Sequence, residues 1–284
     1  MSLSQVFQKL EAAQAQRLEV AAGHTSTFSY RDAQTRLARH KNRYSDIVPF
    51  DRNRIKLRDA PSEQHAADDY INASLIECTS KRRYIACQGP LDHTAADFWQ
   101  MVWQDSSLIV MLCDVMENGR PKCARYWPDV LDQVATFEST RDKPRRSFTV
   151  KCLGTHYDAP ADTQVTRLRL SHNGLQKSKN VTHLRFCSWP DYGVADIEKL
   201  KALVKVVEVH RLEQVGKELP IVHCSAGCGR TGTFIAMSIL QLDAPETPVS
   251  ELVDMLRRQR ISMVQSYSQF ELLHQYQALC KAHR

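Results

Sequence analysis

Five consecutive apolar residues, Leu108-Ile109-Val110-Met111-Leu112, leave no polar position to face water, so a strand formed here must be covered on both sides. Such a strand needs layers above and below it. Strand-like text recurs at 70–76, 83–88, 147–153, 165–170 and 181–186, and within it Thr166-Arg167-Leu168-Arg169-Leu170 alternates, which predicts one wet face. Helical spacing marks Val6, Leu10, Ala13 and Leu18 within 2–20, and Ile197, Leu200, Val204, Val207 and Leu212 later. Thr94-Ala95-Ala96-Asp97 resembles a capping box and opens a further helical stretch with Phe98, Val102 and Trp103 on one side. Thr247-Pro248 reads as a cap and a first helical residue, ahead of Leu252, Met255 and Leu256. The fold class expected is α/β (α+β): one highly twisted mixed sheet flanked by helices.

Nothing divides the chain. Its 284 residues show no repeat and no low-complexity linker, so one compact domain is expected, with residues 1–38 a helical lead-in to 39–284. A core of that size needs no disulfide or metal staple. The nine cysteines are odd in number and scattered, which suits free thiols in a reducing compartment. Lys9, Glu11 and Arg17 interrupt what would be a signal-peptide core, and no run is long enough to span a membrane. A cytoplasmic location is expected, and the Asn-x-Ser/Thr triplets at Asn72 and Asn180 then carry no weight as glycosylation signals. The net charge of +6 favours anionic partners without the basic blocks of a nucleic-acid arm. Lys81-Arg82-Arg83 and Lys143-Pro144-Arg145-Arg146 read as solvated strand ends or loops.

The chemistry is concentrated in 219–232, where a short apolar strand, Pro220-Ile221-Val222, runs into His223-Cys224-Ser225-Ala226-Gly227-Cys228-Gly229-Arg230-Thr231-Gly232 and then into helix-like text. A small-residue loop between a strand and a helix start aims several N–H groups and the positive end of a helix dipole at one point, which makes an anion cradle. Gly227 and Gly229 let the backbone curl, and the Arg230 fork matches two phosphate oxygens. Cys224 at the floor of such a pocket is expected to be a thiolate nucleophile, electropositive sites lowering a thiol pKa by roughly one to five units. Spacing alone is weak, because a Cys separated by five residues from Arg-Ser/Thr occurs by chance in roughly one chain in ten at ordinary residue frequencies. A nucleotide-binding loop would need lysine where Gly229-Arg230-Thr231 stands, and Cys224 and Cys228 have no second ligand pair for zinc. A purely structural turn stays open as an alternative.

Residues 223–232 resemble the signature loop of the protein tyrosine phosphatases, and the resemblance runs from about 39 to 279. Lys41-Asn42-Arg43-Tyr44, Asp69-Tyr70-Ile71-Asn72-Ala73, Tyr84-Ile85-Ala86-Cys87-Gln88-Gly89-Pro90, Lys122-Cys123-Ala124-Arg125-Tyr126-Trp127-Pro128, Trp189-Pro190-Asp191 and the segment 265–269 follow in the family's order. The resemblance implies a phosphotyrosine-specific catalytic domain of the non-receptor type that needs no metal or cofactor, acts on phosphotyrosine proteins or peptides and works as a monomer.

It also implies roles. Cys224 attacks phosphorus, Ser225, Ala226, Gly227, Cys228 and Gly229 cradle the phosphate with Arg230, and Thr231 eases departure of the sulfur. Asp191, between Pro190 and Tyr192-Gly193 and close to Trp189, protonates the leaving phenolate and later acts as base. Gln265 positions water with Gln269 as companion, and His223 orients the nucleophile loop. Tyr44 stacks on the substrate ring, Asp46 accepts from the peptide backbone, and Glu117 and Lys122 support Arg230 and Asp191. Outside this match Asp191 would be a turn residue, Tyr44 a core tyrosine and Thr231 a helix N-cap. Two departures stand out, Ala195 where proline is frequent and Ser262 where glycine is frequent; Arg257 matches an arginine some members use at a second site, but its partner arginine has no recognisable counterpart in the N-terminal helices.

Overall fold

The computed structural model describes residues 1–21, 26–58, 69–79, 82–139, 146–190, 193–213 and 218–282. Helices α1 (Leu3–Val20), α2 (Arg31–Gln34) and α3 (Arg36–Lys41) come first, then strands β1 (Arg54–Lys56), β2 (Tyr70–Thr79) and β3 (Arg82–Cys87). Helix α4 (Ala95–Asp105) leads to β4 (Leu108–Met111), the small hairpin β5 (Met116–Glu117) and β6 (Arg120–Pro121), and a run of longer strands, β7 (Val134–Glu138), β8 (Ser147–Asp158), β9 (Thr163–His172) and β10 (Lys177–Phe186). The chain closes with α5 (Ile197–Glu213), β11 (Ile221–His223), α6 (Gly229–Leu242), α7 (Val249–Gln259) and α8 (Tyr267–Ala282).

The apolar run does form a strand sealed on both faces, every residue of β4 being 0 % exposed. It lies inside a mixed sheet of order β1-β2-β3-β11-β4-β10-β9-β8-β7. The middle of that sheet is parallel, β11 pairing with β3 and β4, and β4 with β10, while the flanks are antiparallel. Helices α5 and α6 pack on the parallel strands and α4 on β7 and β8. Parallel strands share a direction, so the segments leaving β3, β4, β10 and β11 emerge at one edge, where ligands bind in open α/β sheets. Those four segments carry Gln88-Gly89-Pro90, Leu112 to Glu117, Trp189-Pro190 and Cys224 to Gly229 respectively.

Several expectations are corrected. Thr94 stands at the N-cap of α4, but no capping box forms: its hydroxyl accepts from Leu91 N, and Asp97 is drawn off to Lys41 and Arg146. Pro248 is the cap residue of α7 rather than its first helical residue, and Thr247 contributes no side-chain cap. Two arginines read as solvated are buried: Arg82 is held by Asp243 and Glu208, and Arg146 by Asp97. Lys81 and residues 143–145 lie outside the described residues. Strands β8 and β10 outrun the predicted 147–153 and 181–186, because their polar ends pair in the ladder while facing solvent. In α1 the core-facing residues are Phe7 and Leu10, with Val6 packed alongside.

Candidate active site

Between β11 and α6 the backbone turns around a single sulfur. Cys224 Sγ accepts from Gly227 N at 3.2 Å and from Thr231 Oγ1 at 3.4 Å. The turn is directed by what its carbonyls bind. Cys224 O accepts from His223 Nδ1–H at 3.1 Å, Ser225 O from Gly89 N at 2.9 Å, Ala226 O from Arg260 Nη2 at 2.9 Å and Gly227 O from Arg260 Nε at 2.7 Å. In a trans peptide N–H and C=O point oppositely, so four carbonyls tied outward turn the amides of Ser225, Ala226, Gly227 and Cys228 inward. Of these, Gly227 N reaches the sulfur, and the others have no protein acceptor among the described residues.

Gly227 is required at this curl: its φ is +72°, and a Cβ there would lie 2.0 Å from Cys87 O. Gly229 serves another purpose, since it is the first residue of α6 and a Cβ would press on Gln269 and Gln265. Thr231 is not the N-cap of α6; Cys228 is, and the Thr231 hydroxyl is spent on the sulfur. Burial pushes the Cys228 thiol up to about 12, so it stays neutral. Its Sγ donates to Gln265 Oε1 at 3.8 Å.

Arg230 stands at the rim with its guanidinium divided in two. Nη1 donates to Glu117 Oε1 at 2.5 Å and to Leu112 O at 3.1 Å, and Nη2 donates to Glu117 Oε2 at 3.0 Å. Glu117 takes the end of the fork, which leaves Nε–H and the second Nη2–H, the pair along its side, without a protein acceptor among the described residues. Two parallel N–H groups of this kind match two phosphate oxygens. Burial alone would push Arg230 down, but the Glu117 carboxylate outweighs it and holds the cation firmly charged. Glu117 is itself buried, so this is not a surface pair of little weight. The Trp189 ring lies 5.8 Å from the guanidinium.

His223 is buried, and burial pushes it down to about 4, so the ring is neutral. A carbonyl cannot donate, which fixes the tautomer: Nδ1–H donates to Cys224 O, and Nε2 accepts from Tyr126 OH at 2.7 Å. Tyr126 in turn accepts from His183 Nε2–H at 2.9 Å. His223 thus ties the Cys224 carbonyl to the Tyr126 hydroxyl.

These groups open into a cavity of about 290 Å³ that Tyr44, Asp46, Lys122, Gln265 and Gln269 also line. Tyr44 OH donates to Ser225 Oγ at 2.9 Å, and Ser225 Oγ donates to Lys122 O at 2.9 Å, so the tyrosine ring stands as a braced wall. Asp46 is exposed at the mouth. Gln269 Oε1 accepts from Gln265 N and Ser266 N, tying down the turn before α8. Asp191 lies outside the described residues, and with it any contact to Lys122. Arg257 does not face an open second site: it is 1 % exposed, donates to Met263 O and Val264 O, and lies over the Phe7 ring. Ser262, at φ +57°, is engaged by Gln14 of α1.

Sequence reasoning missed Arg260, which is 0 % exposed and binds Ser74 and Asn72 besides the loop carbonyls. The signal was there, an arginine opening the apolar text Ile261-Ser262-Met263-Val264. It also quoted Arg43 without a role, although Arg43 fastens Gly89 O and Pro90 O beneath the loop.

The family model described as protein-tyrosine phosphatase matches residues 38–278. The chain belongs to the protein-tyrosine phosphatase family. It is 38% identical over 257 residues to receptor-type tyrosine-protein phosphatase C of Rattus norvegicus, a match covering 88% of this chain and 19% of that protein. It is 38% identical over 240 residues to tyrosine-protein phosphatase non-receptor type 4 of Homo sapiens, covering 82% and 24%. The chain therefore spans about a fifth to a quarter of the length of these curated relatives. Among solved structures, the catalytic domain of human protein tyrosine phosphatase non-receptor type 18 superposes with a TM-score of 0.82 at 31% identity, covering 98% of this chain and 95% of that one. PTPN18 in complex with HER2-pY1248 phosphopeptides superposes equally, at 0.82 and 30% identity, over 98% of this chain and 99% of that one. Among the described residues of this chain, no helix is long and apolar enough to cross a membrane.

Proposed function

We propose that this chain hydrolyses phosphotyrosine in proteins or peptides through a cysteinyl-phosphate. The observation that carries the reading is the Cys224 sulfur held by two donors beneath inward amides, with the side of the Arg230 fork unspent beside it. The sulfur attacks phosphorus in line with the phenolic oxygen. As the S–P bond forms and the P–O bond breaks, the equatorial oxygens lie against the loop amides and Arg230, donors already oriented before reaction. Asp191 gives its proton to the departing phenolate, whose conjugate acid has a pKa of about 10. Water, placed by Gln265 and deprotonated by Asp191, then attacks phosphorus, and sulfur leaves as an anion received by Thr231 and Gly227 N–H.

Selectivity for phosphotyrosine follows from depth. Cys224 is buried yet lines the cavity beside the braced Tyr44 ring, a recess that suits the long phosphotyrosine better than a short phosphoserine, and a flat aromatic wall favours a ring over an alkyl chain. The N-terminal segment 1–38 acts as a helical support for a catalytic unit over 39–284: α1 packs on α7 and α8 and shares the main core through Phe7 and Leu10. Nine unpaired cysteines support a reducing, cytoplasmic setting.

The test is initial rates on matched phosphotyrosine, phosphoserine and phosphothreonine peptides with a chelator present. Phosphotyrosine alone is expected to turn over, insensitive to chelator, and Cys224→Ser is expected to bind phosphopeptide without turnover. Comparable rates on all three peptides, or turnover by Cys224→Ser, would refute the reading.

A further inference from the structure

The connection that carries Asp191 leaves β10 at Phe186 and enters α5 at Ile197, and its two ends meet one residue outside the cavity, Asp162, through its backbone carbonyl and its carboxylate. On the first side, Cys187 N donates to Asp162 O at 2.9 Å in the turn between β8 and β9. On the second, Lys199 Nζ reaches back from the first turn of α5 and donates to Asp162 Oδ2 at 2.8 Å and to Ser188 Oγ at 2.8 Å. Asp162 Oδ1 accepts from Tyr157 OH, so each carboxylate oxygen has a donor. Burial would push Asp162 up, but Lys199 and Tyr157 outweigh it and hold the carboxyl below its usual range, which keeps the clamp charged at working pH.

A lysine in the first turn of a helix is unfavourable for the helix, because its charge opposes the macrodipole. Lys199 occupies that position nonetheless, and Asp196 Oδ1 caps its backbone N at 3.0 Å. Helix stability therefore does not account for a cation here, whereas the bridge from α5 to Ser188 does.

We propose that Lys199 is a positioning residue for the proton donor: by fastening Ser188 to Asp162 it fixes where the chain delivers Asp191, three residues further on. This rests on the reading of Asp191 as the acid. In the step concerned, S–P forms, P–O breaks, and the Asp191 proton passes to the phenolic oxygen. Lys199 touches none of the reacting atoms, so its loss falls only on that proton, and only on substrates that need it.

The test compares kcat/KM, which reports the chain of events through phenol release, for a phosphotyrosine peptide and for a dinitrophenyl phosphate whose phenolate leaves unprotonated. General acid catalysis in full is worth about 10²–10⁴ in rate, and a displaced acid forfeits part of it. Lys199→Met is expected to lose about tenfold on the peptide and less than about twofold on the activated ester, with Lys199→Arg recovering most of the loss. Ser188→Ala, which keeps the Lys199–Asp162 pair, is expected to show the same selectivity in smaller degree, and it serves if the methionine variant folds poorly. Equal losses on both substrates, or none on either, overturn the proposal. Asp191→Asn separates the two levels: selective loss there with unselective loss in Lys199→Met sinks the clamp alone, and unselective loss or none in Asp191→Asn sinks the acid assignment and the clamp with it.

Discussion

Replacing Thr231 by valine removes one O–H and keeps the shape of the side chain. Thr231 is 0 % exposed and its hydroxyl meets the Cys224 sulfur at 3.4 Å, so no water takes its place and Gly227 N is left as the one remaining donor among those described. A hydrogen bond to a charged group is worth about 1.5–3 kcal/mol, which is roughly 10- to 150-fold in a rate that depends on it fully. The two steps of the proposed mechanism, which begins from a thiolate, depend on it oppositely. In the first, sulfur starts charged and loses its charge to the S–P bond, so the donor stabilises the ground state and its removal does not slow attack. In the second, sulfur regains the charge as it leaves, and the missing donor is felt in full. Hydrolysis of the cysteinyl-phosphate is therefore expected to slow by at least about tenfold and become rate-limiting. Stopped-flow with a chromogenic aryl phosphate should show a burst of one equivalent of phenol, then a slow steady state with kcat and KM lowered together. If kcat/KM falls as far as kcat and no burst develops, the hydroxyl does not act on the leaving sulfur.

Glu117→Gln keeps the volume but replaces one acceptor of the Arg230 fork by an N–H₂; kcat/KM on phosphotyrosine should fall about 10- to 100-fold and inhibition by inorganic phosphate should weaken, and an unchanged inhibition constant would mean that Arg230 is held by other groups. Arg260→Met strips the donors from Gly227 O, Ala226 O, Asn72 and Ser74 and frees the loop amides to turn away from the anion, so kcat/KM on phosphotyrosine should fall at least about tenfold and inhibition by inorganic phosphate should weaken, an unchanged kcat/KM contradicting the role given to it. His223 is pushed from 6.5 down to about 4 in the folded chain, so below pH 6.5 the unfolded chain takes up the proton first and stability declines as pH falls toward 4, by up to about 1.4 kcal/mol per unit for this one group. His183, lowered for the same reason, adds to the decline. Melting temperatures that stay level between pH 6.5 and 4.5 would show that neither histidine is neutral and buried as described.

What was legible in the sequence was what is local. The nucleophile loop is one continuous segment that holds its cysteine, glycines, small residues and arginine within the ten positions 223–232, and the apolar 108–112 run needs no partner to be recognised as doubly covered. The polar ends of β8 and β10 were not legible, because a residue such as Lys177 pairs its backbone with His172 while its side chain stays in water, and no apolar pattern records it. Strand β7 is an edge strand with Val134 exposed, and its membership of the sheet is decided by β8 and α4. Charges misled for the same reason. Asp97 has the spacing of a capping residue, but Lys41 and Arg146, distant in sequence, claim its carboxylate. Asp191 was assigned through the family's order of motifs, since a lone aspartate after Trp-Pro carries no chemistry of its own.

The least legible part of the site is the part that shapes it. Arg260 lies 33 residues beyond Gly227 and never lines the cavity, yet two of its nitrogens bind the carbonyls of Ala226 and Gly227. The peptide that joins Ala226 to Gly227 offers its C=O to that guanidinium and its N–H to the Cys224 sulfur, so one buried cation, acting through a rigid planar unit, turns a donor toward that sulfur. Burial pushes the Arg260 cation down, against carbonyl, amide and hydroxyl partners that carry no formal charge. That position is unfavourable for core stability alone. It becomes intelligible once the loop is seen as backbone held in an orientation that leaves its N–H groups unpaired until an anion arrives, a state that needs carbonyl acceptors satisfied from behind. Orientation of the amides, rather than charge at the pocket wall, is then what Arg260 contributes. A lysine at this position would keep the charge and lose the function, because one ammonium cannot span Ala226 O, Gly227 O, Asn72 and Ser74 together.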